Sequence, residues 1–431
     1  MSSIWTQSVR INTHEKLQRD IQADVAIVGG GMAGILTAYL LHSKGVDCVL
    51  IEAKTIGCGI TKNTTAKITS QHNLIYDTLI NSVGQEKAKN YLSANELAIK
   101  KYRELCQNID CNFCDKSAFI YSLNDKKIIN KEVDAINSLG FSAKFKDKIE
   151  LPFPIAGAIQ FQNQAEFHPL KFINELSKNL TIYENTMVKS INNNVLQTEH
   201  GKVTANKVVV ATHFPFINAP GYFFLKMYQQ RSYVIALENA QKINDVYLDE
   251  SENGFSFRNY GDLLLIGGGG HRTGKSGGGY QAVLNYAKLV YPDAVEKYAW
   301  ATQDCMTLDY VPYIGRYSKA TPNLFVATGF NKWGMTSSMV SAMLLSDMIL
   351  GKPNKFESLF SPQRFSLNKQ FFINTLETTT NLLNFKTKRC SHLGCALTYN
   401  KQEHTWDCPC HGSRFEGSGR LIDNPATKDI D

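Results

Sequence analysis

The chain has 431 residues, 43% of them hydrophobic, which is enough for two or three domains with real cores. Its formal net charge of +7 comes from 46 basic and 39 acidic residues that are scattered rather than clustered, which argues against a nucleic-acid role. No apolar run reaches the roughly 18 residues of a membrane span. The N-terminus shows neither an apolar h-region nor a small-residue cleavage site, so a cytoplasmic location is expected.

In chain order, DVAIV (24–28) is a short β-branched run and reads as a buried parallel strand. GGGMAG follows, then ILTAYLLHSK with helical spacing and Gly45 as its stop, then a second strand, VDCVLIE (46–52). Residues 83–107 predict a polar-faced helix, and 115–165 mix short strands with turns. Residues 168–180 predict a helix with Pro169 at its start, and His168 before it reads as structural. The alternation over 222–266 predicts a mostly antiparallel sheet. GGGGHRTGKSGGG (267–279) lacks the spacing of a phosphate loop and reads as a flexible loop near the active site. NLFVATGF (323–330) predicts a buried strand, followed by a turn and a helix over about 336–350. From 390 the texture becomes short, glycine-rich and ligand-rich.

Ten cysteines in such a chain read as free thiols and ligands rather than a disulfide framework. Cys48, Cys58, Cys106 and Cys305 read as lone thiols. Cys111 and Cys114 form a CxxC that suits a redox pair or half a metal site, but there is no second CxxC to complete it.

Two motifs carry chemistry. Gly29, Gly31 and Gly34 form G-x-G-x-x-G between strand and helix, and Glu52 ends the second strand. Glycines allow a tight turn and close backbone approach to a pyrophosphate, and the helix N-terminus offers free N–H groups. The carboxylate suits ribose hydroxyls and disfavours a 2′-phosphate. The motif therefore predicts dinucleotide binding without separating FAD from NAD. In the tail, Cys390-x-His392 and Cys408-x-x-His411 offer two Cys and two His, which suits tetrahedral zinc or a mixed-ligand iron–sulfur cluster.

VAIVGGGMAG with Glu52, GITKNTTAKITSQH (59–72) and LFVATGFNKWGMTSSMVSAMLLSDMIL (324–350) resemble the D-amino-acid-oxidase-like superfamily of FAD oxidoreductases, which includes glycine and sarcosine oxidases. The resemblance implies an α/β (α+β) two-domain fold: an FAD-binding Rossmann-type part (about 20–105, 160–215 and 305–355) and a mostly antiparallel substrate part (about 106–159 and 216–304). It places Met32 and Ala33 in the dinucleotide turn and Thr64, Thr65 and Ala66 beside the flavin ring. Val188 falls at the adenine, and Gly329, Gly334 and Met335 at the pyrimidine edge. Arg231, His271 and Arg272 are the candidates for holding a substrate carboxylate, each against the plainer reading of an ordinary cation. No acid–base pair is visible, which fits hydride transfer to flavin with the protein orienting the substrate.

The tail resembles a Rieske 2Fe-2S motif. Carried over, Cys390 and Cys408 hold one iron and His392 and His411 the other. Cys395 and Cys410 match the pair that forms a disulfide in respiratory Rieske proteins. Ser413 matches a serine that bonds a cluster sulfur. Phe415 stands where high-potential members have a tyrosine, which implies a lower potential. The resemblance gives an oxidoreductase domain over 20–365, a linker over 366–386 and a small all-β cluster-binding subdomain over 387–431. A full Rieske domain has further strands before its first ligand loop, so the tail is expected to lean on the flavin domain.

Flavin takes electrons in pairs and the cluster takes them singly. The combination implies a dehydrogenase that oxidises a small amine or amino acid and empties through the cluster to an external acceptor, a protein or a quinone. Through that acceptor the chain could sit peripherally at a membrane. The alternative is an electron-transfer or redox-sensing protein with no small substrate of its own.

Overall fold

The computed structural model describes residues 2–365 and 369–431. The β-branched run Ile21–Val28 is the centre of the first sheet, buried at its C-terminal end. It pairs in parallel with Cys48–Ile51 on one side and Lys202–Val210 on the other. Thr181–Tyr183 extends the first edge in parallel, and Thr321–Thr328 the second. Tyr313–Ser318 closes that edge antiparallel. Helices cover this sheet because its strands are apolar on both faces. Met32–His42 and Gly334–Ile349 are buried along nearly their whole length, as helices wedged between sheet and protein must be.

The second sheet is the expected, mostly antiparallel one. Its order runs Val295–Thr307, Met227–Glu238, Leu263–Arg272, Ser256–Tyr260, Val246–Asp249, Cys114–Ser122, Gly157–Glu166 and Lys67–Ile68. Val246–Asp249 pairs in parallel with Cys114–Ser122, the one parallel pairing among the described strands of this sheet.

The glycine run differs from expectation. Residues 267–272 are not a loop but the end of the Leu263–Arg272 strand, and only the following turn lies outside regular structure. Pairing of Gly267 with Val234 and Gly268 with Tyr233 overrides the weak strand preference of glycine. The missing side chains have a packing reason: a Cβ at Gly268 would lie 2.4 Å from the Phe255 ring.

The tail forms its own four-stranded antiparallel sheet, Thr398–Asn400, Thr405–Asp407, Arg414–Glu416 and Leu421–Asp423. Its core is small, with Cys390, Cys395, Leu397, Cys408, Cys410 and Phe415 at the centre. The first three positions of the expected linker, 366–368, lie outside the described residues. Helix Lys369–Leu383 occupies most of the remainder. No helix among the described residues is long and apolar enough to cross a membrane.

Candidate functional site

The glycine turn is built by close approach. A Cβ at Gly34 would lie 1.8 Å from the Gly29 carbonyl oxygen, so the helix can sit against the strand only with glycine there. Gly29 has φ +110° and would meet the Ala211 carbonyl at 2.5 Å. Glu52 accepts from the Gly30 N–H at 2.6 Å and the Lys54 N–H at 2.8 Å. Burial pushes its carboxyl up, against these two N–H groups. Each carboxylate oxygen keeps acceptor capacity for a ribose hydroxyl.

A cavity of about 880 Å³ opens from this turn. Gly29, Gly31, Met32, Ala33 and Glu52 form one end of its wall. Thr64, Thr65, Val188, Gly334 and Met335 line it further along. Gly34, Ala66 and Gly329 stand behind the wall: Gly34 in the tight turn, Ala66 fully buried, Gly329 packed on Thr307. The volume, the glycine turn and the carboxylate together fit an FAD.

Sequence reasoning missed three charged or polar groups in this wall. Lys332 stands in the left-handed region (φ +72°) on the loop before Gly334 and forms no ion pair among the described residues. Its side chain keeps exposed surface on the cavity side, while desolvation by the surrounding protein lowers its ammonium. Asp304 also faces the cavity without such a pair, and burial raises its carboxyl to about 6. His213, with φ +66°, has a buried Nε2 with no hydrogen-bond partner among the described residues, and burial lowers it to about 4. A left-handed residue gives no signal in sequence unless it is glycine or asparagine.

The far wall of the same cavity is the tail: Arg414, Leu421–Asp423, Asn424, Ala426 and residues up to 429. Just behind that wall lie the two ligand loops, and they close in the same way. The Cys390 carbonyl accepts from Gly394 N–H at 2.9 Å, and the Cys408 carbonyl from Gly412 N–H at 2.9 Å. The Cys390 N–H donates to the Cys395 carbonyl, and the Cys408 N–H to the Ser413 carbonyl, both at 2.8 Å. Both glycines are left-handed, at φ +75° and +83°.

These loops bring Cys390, His392, Cys408 and His411 together. The Cys390 and Cys408 thiols hydrogen-bond each other, and this contact first, then the nearby N–H groups and Ser413, pulls the Cys390 thiol down against burial. The two imidazoles lie 5.2 Å apart. Burial lowers His392 to about 4, and burial, then His392 and Arg272, lowers His411 to about 3. Both are therefore neutral at pH 7, the form that binds metal. The Nδ1 atoms of both are buried with no partner among the described residues. Two paired thiols facing two orphaned ring nitrogens are the donor set of a mixed Cys/His 2Fe-2S cluster. Cys395 and Cys410 are joined as a disulfide that links the two loops. The sulfurs of Cys395, Cys408 and Cys410 lie within 4.8 Å of one another, but the disulfide leaves only Cys408 free to ligate. Ser413 accepts from the Ala426 N–H at 3.0 Å and reaches Cys390, and Phe415 is fully buried.

The substrate-carboxylate candidates do other work. Arg231 is buried and ion-paired with Glu403 of the tail, Nε to Oε1 at 3.1 Å, while also lining the cavity. His271 bonds the Tyr233 hydroxyl at 2.8 Å, and that hydroxyl donates to Glu403 at 3.0 Å. Arg272 donates to the carbonyls of Pro409 (3.1 Å) and Cys410 (3.4 Å) and to Asn374 (2.7 Å). Arg231 and Arg272 contact the tail directly, and His271 reaches it through Tyr233. Cys111 lies against Cys106, sulfurs 3.4 Å apart, while Cys114 is exposed, so the CxxC is not a pair in space. His168 caps the helix Pro169–Ser177, as its structural reading requires.

This fold and these two donor sets define a flavoprotein with an iron–sulfur tail. The family model for FAD dependent oxidoreductases matches residues 24–348, and that for the Rieske [2Fe-2S] domain matches 369–431. The chain belongs to the FAD-dependent oxidoreductase family and carries a C-terminal Rieske domain, with FAD and one Rieske-type 2Fe-2S cluster as its cofactors. It is 34% identical, over 99% of its length and 96% of the other, to YhfW of Bacillus subtilis (strain 168), described by name as a Rieske 2Fe-2S iron-sulfur protein. It is 24% identical to gamma-glutamylputrescine oxidoreductase of Escherichia coli (strain K12), over 80% of this chain and 87% of that one. Glycine oxidase from Geobacillus kaustophilus shares the fold, with a TM-score of 0.69 at 22% identity, over 80% of this chain and all of that one.

Proposed function

We propose that the protein is a dehydrogenase that oxidises a C–N bond of a small amine or amino acid and releases the electrons through its cluster to an external acceptor. When bound, FAD supplies hydride acceptance and the cluster supplies one-electron transfer. The observation that carries the reading is the shared cavity, whose wall runs from the glycine turn to the tail that bears the cluster loops. The named substrates of two similar proteins, gamma-glutamylputrescine and glycine, are an amine and an amino acid. The protein's own groups suit such molecules. Asp304 offers a carboxylate for an ammonium, and Lys332 an ammonium for a carboxylate, both on the cavity side. The ligands assigned to the iron, Cys390, Cys408, His392 and His411, and the residues assigned to the flavin are part of the same proposal.

The test is anaerobic mixing of the holoprotein with a panel of amines and amino acids, following the flavin absorbance and the EPR signal of the reduced cluster. Bleaching of the flavin followed by cluster reduction is expected for one class of substrate. Reoxidation should be faster with ferricyanide than with dioxygen. If no amine or amino acid bleaches the flavin, while dithionite reduces both centres, the dehydrogenase reading falls and the electron-transfer alternative stands.

A further inference from the structure

The histidine edge of the cluster site packs against the flavin domain, with His411 buried and His392 half-buried. His411 is 1% exposed. The rings of Phe214 and Phe224, both from the flavin domain, stand edge-on to it at 6.3 and 5.7 Å. His392 meets the same segment of the flavin domain through a polar contact: its Nε2 lies 2.6 Å from the Asn218 side-chain oxygen Oδ1. An amide oxygen only accepts, so Nε2 must carry the proton. The Nδ1 lone pair is then free, and Nδ1 is the buried atom with no partner among the described residues.

We propose that Asn218 is a positioning residue for the cluster: it fixes the tautomer and ring orientation of His392 and so tunes the potential of the iron that His392 holds. An acceptor on the far ring nitrogen makes a histidine ligand more electron-donating and favours the oxidised metal. Asn218 lies 172 positions before the first ligand cysteine, in the flavin domain rather than the tail. The same segment meets the tail twice more, because Asn424 donates to the carbonyls of Thr212 and Phe214. The cluster's electronic properties are thereby set partly by the domain that supplies its electrons. The proposal rests on the ligand assignment above.

The test uses the full-length holoprotein and three variants, with iron content, EPR g-values and cluster midpoint potential read at one pH. Wild type first tests the ligand assignment: a mixed Cys/His 2Fe-2S spectrum supports it, and its absence overturns it whatever Asn218 does. Given that spectrum, Asn218→Leu removes the acceptor and is expected to move the potential upward. Asn218→Asp strengthens the acceptor and is expected to move it downward. Asn218→Gln, which keeps the amide, should lie nearer wild type than either. Opposite shifts are the signature of an acceptor, because mere damage to packing moves both variants the same way. Unchanged potentials and g-values in Asn218→Leu and Asn218→Asp, or shifts of equal sign, overturn the proposal. If Asn218→Leu loses its iron, Asn218→Ala takes its place: a higher potential sustains the role, and an unchanged or lower one ends it.

Discussion

The two ligand loops share one backbone pattern and differ in what holds them from outside. The first, Cys390 to Cys395, is braced mainly by the tail and its helix: Ser391 donates to the Lys428 carbonyl, and Ala396 to the Asn381 carbonyl. The second, Cys408 to Ser413, is gripped by the flavin domain, which supplies a donor to each of four consecutive carbonyls. Arg272 serves those of Pro409 and Cys410, Gln229 that of His411 at 2.7 Å, and Gln303 that of Gly412 at 2.8 Å. Gln303 also donates to the Gln229 side chain at 2.7 Å, which fixes both. The contrast teaches that the tail is not a self-sufficient module. Its small sheet builds one half of the cluster site, and the flavin domain completes the other half.

Replacing a ligand in either loop should erase this difference and gives the largest effect. Cys408→Ser and Cys390→Ser should each abolish the cluster, read as loss of iron and of the reduced EPR signal with FAD retained. Retention of the signal in either would break the ligand assignment.

The ion-pair network that seats the tail comes next. Arg414 bonds Glu403 (2.8 Å), Asp407 (3.1 Å) and Asp423 (3.1 Å), and Arg231 adds the flavin domain's charge. Arg231→Met leaves Glu403 and its neighbours under-compensated in a buried site, with an expected cost of about 3–5 kcal/mol. Thermal denaturation followed by flavin release should show it, and Arg231→Met with Glu403→Met should recover much of the loss. Burial raises the Glu403 carboxyl, but Arg231 and Arg414 outweigh it and hold the group below its ordinary range. A depressed carboxylate contributes stability above its unfolded pKa of about 4.3 and loses it as pH falls through the folded value. The melting temperature should therefore fall below about pH 4 in wild type, and fall less steeply in Glu403→Gln.

Smaller changes sharpen the contrast between the loops. Gln303→Ala strips a donor from the Gly412 carbonyl and from Gln229, and should cost about 1–3 kcal/mol. Hydrogen exchange should rise in the second loop and not the first. Lys332→Met lies outside both loops. It should raise KM for substrates that carry a carboxylate and spare simple amines, read by steady-state kinetics. Arg420→Ala should leave the melting temperature unchanged, because its pair with Glu416 is fully exposed.

What the sequence disclosed and what it hid divide along the same line. Gly29, Gly31, Gly34 and Glu52 are readable because one βαβ unit places them, and the Cys–His pairs because each sits in one short loop. Arg231 looked like a substrate residue because its partner, Glu403, lies 172 positions away. Gln229, Gln303 and Asn218 have no motif, since a neutral amide becomes functional only through the carbonyl or ring it meets. The glycine run misled because composition speaks for a loop, whereas the close approach of Phe255 to Gly268 is a tertiary fact.

The cavity wall also has a history in time. Its first part, Gly29 to Ala33, and its last, beyond Arg414, are separated by about 380 positions. At about 5–20 residues per second, a ribosome delivers them roughly 20–80 s apart. The flavin-side wall is complete only once Ser338 has been made, 76 positions before Arg414, so the site stands open toward the tail for roughly 4–15 s. The wall that closes the cavity is thus made after the site it covers.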